Sequence, residues 1–319
     1  MTRILLTTTS YQDTPGSHHD LLESTGYEIV RERGPLSEER MLELSGEFDG
    51  FLCGDDGITR CVIEKSLPRI KVISKYGIGL DKIDVEAATE LKVPVTFCPG
   101  VNHTTVAEHT FGLIIAACRN IVEECGYVKE GKWKRITGYE LAGKTMGIVG
   151  LGRIGREVAT RARAFGMDVI GFGNYWEGEF AATHNIRRAE HLNDVFREAD
   201  VISLHTKLTE KSRHMIDAKA IELMKKETVV VNCARGELVD TPAMVEALKS
   251  RRIYAYASDV MEQEPPPKDH PYFTCNNTVL TPHIGSRTFE NVVRQATMAT
   301  ENLIAVLKGE KPPAQANQV

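Results

Sequence analysis

The sequence predicts an α/β protein made of two doubly wound parallel-sheet domains joined by helices. Three observations predict it. Short apolar runs alternate with helical patterns along most of the 319 residues, as parallel sheets covered by helices on both faces require. The alternation comes as two series, parted by Pro99-Gly100 and a long helical pattern. Only the second series carries a glycine turn, Gly150-Leu151-Gly152-Arg153-Ile154-Gly155, set between an apolar run and a helical stretch.

In the first series, residues 4–9 read as a strand, and Leu21, Leu22 and Gly26 as a helix and its stop. Tyr27 to Val30 is strand-like, and Ser37 with Arg40 marks a helix start. Phe51-Leu52-Cys53, a helix near 59–66, Lys71 to Ser74, a helix from Asp84 to Leu91 and a strand from Val93 to Phe97 complete it. A helix from about His103 to Cys125 follows, with Val106, Phe111, Ile114, Ile115 and Cys118 as its apolar positions. The second series offers six strands, 145–149, 168–172, 200–204, 228–232, 253–258 and 278–280. Pro265-Pro266-Pro267 and Pro271 mark an irregular connection. The last helical pattern, 287–308, lies beyond the sixth strand and is expected to cross back onto the first series. That divides the chain into 1–100 with 287–319 and a continuous 101–286. The polar tail from Lys311 is expected to fray.

Composition narrows the function. Hydrophobic content of 42% and charged content of 26% are ordinary for a globular protein. A net charge of −5 argues against nucleic-acid or membrane partners. Seven scattered cysteines without a C-x-x-C point to reduced thiols, a cytoplasmic setting and no metal site. The apolar run at the N-terminus is too short for a signal peptide, and none reaches membrane-span length.

The glycine turn carries the first chemistry. Gly150 permits a tight turn, Gly152 lets a pyrophosphate approach the backbone, and Gly155 lets helix pack close to strand. The helix N-terminus then offers free N–H groups to phosphate. A dinucleotide that exchanges hydride needs a partner for the proton, and histidine suits that near neutral pH. Of ten histidines, His283 stands directly after an apolar strand, in Thr281-Pro282-His283-Ile284-Gly285-Ser286. Ligands bind at the carboxyl ends of such strands. Arg235, in Asn232-Cys233-Ala234-Arg235-Gly236, follows another, and its guanidinium can hold both oxygens of a carboxylate. Glu264 ends an acidic loop, and a carboxylate beside an imidazole fixes its tautomer and favours its protonated form. By position alone each has a plainer reading: a loop histidine, a surface arginine paired with Glu237 or Asp240, a solvated acid.

These motifs resemble the D-isomer-specific 2-hydroxyacid dehydrogenases, in the branch near phosphoglycerate dehydrogenase. The resemblance covers nearly the whole chain. It runs through Lys75-Tyr76-Gly77-Ile78-Gly79-Leu80-Asp81, Gly100 to Glu108, the glycine turn, His205, Asn232 to Asp240, Asp259 to Pro265 and Thr281 to Ser286. It implies a Rossmann-type cofactor domain, 101–286, and a flavodoxin-like substrate domain, 1–100 with 287–319. It implies reversible hydride transfer between a nicotinamide cofactor and a small 2-hydroxy or 2-keto acid, in a cleft that closes over the substrate. Glycerate or hydroxypyruvate, glyoxylate, lactate and phosphoglycerate-like acids all fit. His283 is then the proton donor and acceptor, Glu264 its partner, and Arg235 the binder of carboxylate and carbonyl oxygen. Lys75, Gly77, Ile78 and Gly79 would hold the substrate carboxylate. Thr105, Gly150, Gly152, Arg153, Ile154, Gly155, Asn174, His205, Thr206, Cys233, Ala234, Asp259, His283 and Gly285 would line the cofactor, with helix capping the plainer role for Thr105. No additional regulatory domain is expected within these residues. The resemblance also implies a homodimer, paired through the apolar helix at 103–125 and the segment holding Tyr127 and Trp133.

The chain departs from the pattern at three places. The acidic residue expected on the ribose hydroxyls falls at Gly173. NAD is the expected cofactor, but the missing repulsion leaves NADP or dual use open. Lys207 replaces an expected proline and either reaches the adenosine end or is solvated. Arg287 either binds a second acidic group on the substrate, such as a phosphate, or is a solvated residue at a helix start. Asp55 and Asp56 either shape the substrate loop or cap the next helix. A competing function is a cofactor-sensing co-repressor on the same fold. A methyltransferase fits the glycine turn but not the later arginine, glutamate and histidine motifs.

Overall fold

The computed structural model describes residues 1–319. It divides into two compact units, Met1–Asn102 with Arg287–Val319, and His103–Ser286.

The first unit holds strands β1 (Arg3–Leu6), β2 (Glu28–Arg31), β3 (Gly50–Cys53), β4 (Val72–Lys75) and β5 (Val95–Thr96). They pair in parallel in the order β2-β1-β3-β4-β5, a flavodoxin-like arrangement whose switch point lies between β1 and β3. The central strands are buried on both faces, hence the near-continuous apolar runs Ile4-Leu5-Leu6 and Phe51-Leu52-Cys53. The first strand is shorter than its sequence run suggests. It ends at Leu6, and Thr9–Asp13 forms a short helix. Helix starts read from sequence hold: Ser37 caps Glu38–Leu44 and Asp84 caps Val85–Glu90, each accepting a backbone N–H. Helix Phe289–Leu307 returns to this unit and buries Val292, Ala296, Ala299 and Leu303.

The expectation of a frayed tail is overturned. Gln315 bridges Thr96 in antiparallel fashion, and the Ala316 N–H donates to Val95 O at 2.8 Å. Asn317 accepts from the Val95 N–H at 2.8 Å and donates to Val93 O at 2.9 Å. The edge strand β5 leaves backbone groups that need partners, and the tail's polar side chains supply them.

The second unit has seven parallel strands: β6 (Thr145–Val149), β7 (Asp168–Phe172), β8 (Ile186–Arg188), β9 (Val201–Leu204), β10 (Val229–Asn232), β11 (Ala255–Ser258) and β12 (Thr278–Leu280). Their order is β12-β11-β10-β9-β6-β7-β8, the doubly wound dinucleotide-binding order with one strand added at an edge. Sequence reading misses β8. Its Ile186-Arg187-Arg188 has a single apolar residue, because an edge strand buries only one side chain here. The long helix at 103–125 is also corrected. It runs His103–Cys118 and stops. Asn120 takes a left-handed φ of 53°, and a second helix, Ile121–Lys129, sets off from it. No helix is long and apolar enough to cross a membrane.

Candidate active site

Strand order in the second unit reverses between β6 and β9, and the glycine turn sits at the carboxyl end of β6 beside that point. Gly150 has φ +101°, and a Cβ there would lie 2.4 Å from His205 O. A Cβ on Gly155 would lie 2.1 Å from Gly150 O, so helix and turn meet backbone to backbone. Around Gly152 a Cβ would meet nothing within 4 Å. Two glycines are thus required by contact, and the third borders open space before the first turn of the 12-residue helix Arg153–Ala164. That is a cradle into which a pyrophosphate fits. Arg153 opens the helix, and Ile154 packs onto the core.

His205 contributes backbone to this wall. Its imidazole is turned inward against Ser203 Oγ at 2.8 Å, and burial pushes its pKa down to about 4. Thr206 follows it in the same loop. The Cys233 residue is half-buried, and desolvation pushes its thiol up to about 12 despite a hydrogen bond with Thr110. It therefore stays a neutral packing group near neutral pH. Ala234 packs into the other core layer. Thr105 lies inside the first turn of its helix, so it is no cap, and it is 5% exposed. Asn174 follows β7, next to Gly173. A Cβ on Gly173 would make only ordinary contacts, the nearest 3.5 Å away. Space for an acidic residue exists, and the carboxylate is simply missing.

Three loops at the carboxyl ends of β10, β11 and β12 carry the candidate side chains Arg235, Glu264 and His283. His283 Nδ1 stands 2.7 Å from Glu264 Oε2, and Glu264 Oε1 accepts the Met261 N–H at 2.9 Å. A carboxylate only accepts, so the proton of this pair sits on Nδ1, and Nε2 is the unprotonated ring nitrogen of that tautomer. His283 has φ +52°, a left-handed value that costs a non-glycine residue about 1–2 kcal/mol. Surrounding bonds hold it there. The His283 N–H donates to Asp259 O at 2.8 Å. The Asp259 carboxylate, 2% exposed, accepts from Thr281 Oγ1 (2.6 Å), Ile284 N (2.9 Å) and Gly285 N (2.7 Å). His109 Nε2 lies 3.3 Å from it and 3.0 Å from Thr281 Oγ1. Burial opposes the charge on Asp259, but bonds from His109, Thr281 and Ile284 hold its carboxyl below the usual carboxylate range. A Cβ on Gly285 would come 2.9 Å from Asp259 Oδ2, so glycine is needed for the loop to close on the carboxylate.

Arg235 stands three residues after Asn232, the last residue of β10. Asn232, fully buried, frames its turn by donating to Arg235 O at 2.8 Å and accepting the Ala234 N–H at 3.0 Å. A Cβ on Gly236 would fall 2.0 Å from Met261 C. The arginine loop therefore lies directly on the loop that carries Glu264. So one unit brings Arg235, Glu264 and His283 to the same end of its sheet. Sequence reading passes over His109, Asn232 and Gly236 as supports. The glycine after Arg235 is their one visible signal.

In the first unit Lys75 ends β4 and is 3% exposed, not a solvated lysine. Its ammonium donates to Gly54 O at 2.5 Å and pairs with Asp55 at 2.6 Å. Gly77, with φ +141°, Ile78 and Gly79 follow in an open loop, Ile78 being 37% exposed. Asp55 thus shapes this loop. Asp56 is fully buried and caps no helix. It accepts from Thr7 Oγ1 (2.5 Å), Leu36 N (2.7 Å) and Gly54 N (2.9 Å), tying the loops after β1, β2 and β3.

A family model described as D-isomer specific 2-hydroxyacid dehydrogenase, NAD binding domain, matches residues 111–285. Over 313 residues the chain is 43% identical to the D-3-phosphoglycerate dehydrogenase of Methanocaldococcus jannaschii, covering 97% of this chain and 58% of that protein. It is 40% identical to the glyoxylate reductase of Thermofilum pendens, covering 89% and 86% respectively. The crystal structure of the TT0316 protein from Thermus thermophilus superposes with a TM-score of 0.90 at 36% identity, covering 99% and 100% of the two chains.

Proposed function

The chain belongs to the D-isomer specific 2-hydroxyacid dehydrogenases, and from that premise we propose that it interconverts a small 2-hydroxy acid and its 2-keto acid. The observation that carries this reading is the 2.7 Å contact of His283 Nδ1 with Glu264, in a loop packed against that of Arg235. When bound, the nicotinamide cofactor supplies or accepts the hydride. His283 Nε2 gives a proton to the keto oxygen in reduction and removes it from the hydroxyl in oxidation. Glu264 keeps the ring in that tautomer and supports its charge. Arg235 binds the carboxylate and polarises the carbonyl oxygen through its planar fork. In the other unit, the backbone N–H groups of Gly77, Ile78 and Gly79 bind the carboxylate. Lys75, already neutralised by Asp55, acts more by fixing that loop than by free charge.

The glycine turn and its helix hold the pyrophosphate, with Thr105, Arg153, Ile154, Asn174, Thr206, Ala234, Asp259 and Gly285 completing the cofactor site. NAD is the expected cofactor. The missing carboxylate at Gly173 removes the repulsion that would exclude a 2′-phosphate, and Asn174-Tyr175-Trp176 supplies no cation to attract one. Steady-state assays of hydroxypyruvate, glyoxylate, pyruvate and their phosphorylated relatives with NADH and NADPH test both points. The expected result is turnover of at least one acid, with NADH giving the higher kcat/KM. A strong NADPH preference overturns the cofactor assignment. No absorbance change with any acid favours the cofactor-sensing alternative.

The same reading includes a homodimer in the cytoplasm. Helix Ile121–Lys129 buries none of its residues, and Ile121, Val122, Val128 and Trp133 are 49%, 58%, 55% and 80% exposed. Clustered apolar exposure of this kind marks a partner surface. Light scattering is expected to give twice the chain mass of 35.4 kDa, and Val122→Glu with Trp133→Glu to give the single mass. A monomeric wild type sinks this assignment.

A further inference from the structure

Helix His103–Cys118 reaches the loop of His283 through His109. His109 Nε2 lies 3.0 Å from Thr281 Oγ1 and 3.3 Å from Asp259 Oδ1. The hydroxyl of Thr281 has one proton, and at 2.6 Å that proton goes to Asp259 Oδ1. Toward His109 the hydroxyl oxygen is therefore an acceptor, as the carboxylate is. His109 Nε2 carries the proton between them, and one N–H serves two acceptors. The ring also rests on the loop backbone, since a Cβ on Gly285 would meet His109 Cδ2 at 3.5 Å.

The Asp259 carboxylate gathers four donors, and their sources differ. Thr281 Oγ1, Ile284 N and Gly285 N all belong to the loop that Asp259 holds. His109 is the donor that comes from another element. The helix beneath it is fixed, with Ala107, Phe111, Ile114 and Ala117 buried in the core. A side chain on such an element sets a position more sharply than one within a loop. The path is then short. The helix orients the Thr281 hydroxyl and the carboxylate, the carboxylate holds the amides of Ile284 and Gly285, and these keep His283 at φ +52°. Removing the His109 donor leaves a buried carboxylate one partner short, which is costly, and the loop relieves that cost by shifting.

We propose that His109 is a positioning residue of the reaction: it sets where His283 stands, and it does so through Thr281 and Asp259. The effect on turnover rests on the dehydrogenase reading, and the effect on the loop rests on these contacts alone. A misplacement of about 1 Å can cost a factor of about 100 in rate, so a support that acts on the imidazole through two residues has a kinetic signature. That signature is a lower kcat with the cofactor KM left alone, because the glycine turn is built by other residues.

The test compares the wild type with His109→Leu, His109→Gln, Thr281→Val and the double variant His109→Leu with Thr281→Val. His109→Leu is expected to lower kcat about tenfold or more and to leave the cofactor KM within about twofold. Glutamine offers an N–H at nearly the same reach, so His109→Gln should recover most of the loss. The double variant should lose no more than the worse single one, because both changes cut the same path. Hydrogen exchange gives a readout that needs no turnover. The amides of His283, Ile284 and Gly285 should exchange at least about tenfold faster in His109→Leu and near the wild-type rate in His109→Gln, at an unchanged Tm. Should His109→Leu fail to fold, His109→Asn, whose amide falls short of Thr281, takes its place. Wild-type kcat in His109→Leu overturns the proposal, as do equal losses in the leucine and glutamine variants or additive losses in the double variant. If the wild type turns over no 2-keto acid, the dehydrogenase reading fails by itself and exchange decides the rest. Faster exchange in His109→Leu that glutamine restores keeps His109 as the support of the loop, and unchanged exchange removes it.

Discussion

Replacing His283 by Gln is expected to lower kcat by about 100- to 10,000-fold, the usual contribution of a positioned acid–base group. That corresponds to about 3–5 kcal/mol of barrier. The reason is specific to the geometry. Nδ1 meets Glu264 at 2.7 Å, so Nε2 is the ring nitrogen proposed to exchange a proton with substrate oxygen. Glutamine can accept a hydrogen bond there but cannot carry a proton on and off at neutral pH. Cofactor affinity, read by fluorescence titration, should stay near the wild-type value, because the glycine turn is built by other residues. Glu264→Gln should follow with a smaller loss of at least about tenfold, since an amide offers donor and acceptor alike and no longer fixes the tautomer. Retention of most of the turnover in His283→Gln would show that the proton travels elsewhere.

The second large effect is expected at Arg235. Arg235→Ala should lower kcat/KM by about 30- to several thousand-fold, the range for losing one partner of a buried charge pair, and should raise KM as well as lower kcat. The split differs from that of His283 because the guanidinium binds substrate in both ground and transition states. Arg235→Lys should recover little, because an ammonium cannot span two oxygens in one plane. Tm separates this from damage to the fold. The turn is held by Asn232 and by the close approach of Gly236 to Met261, so Arg235→Ala should melt near the wild type. A KM unchanged in Arg235→Ala would remove the residue from substrate binding.

Much of the architecture was readable in one dimension. Buried parallel strands write themselves as apolar runs, and caps such as Ser37 and Asp84 announce their helices. What was not readable depended on neighbours distant in sequence. Ile186–Arg188 is a strand because β7 offers it a free edge, not because its own residues favour pairing. The tail is ordered because Asn317 finds Val93 and Val95, more than 200 residues away. Asn120 ends its helix in a left-handed turn that no glycine or proline marks.

The candidate site divides the same way. By itself the sequence determined the fold class and the residue types able to do the chemistry: a glycine turn, an arginine, a glutamate and a histidine, each placed after an apolar run. Only the tertiary structure decided that Glu264 touches His283, that buried Asp259 with His109 and Thr281 holds the histidine loop in its left-handed turn, and that Lys75 is spent on Asp55 while Arg287 and Arg33 share Asp13. The physical reason is range. Secondary structure follows from side-chain pattern within a few residues, whereas hydrogen bonds and ion pairs are set at a few ångströms between loops that the sheet order, and nothing local, brings together.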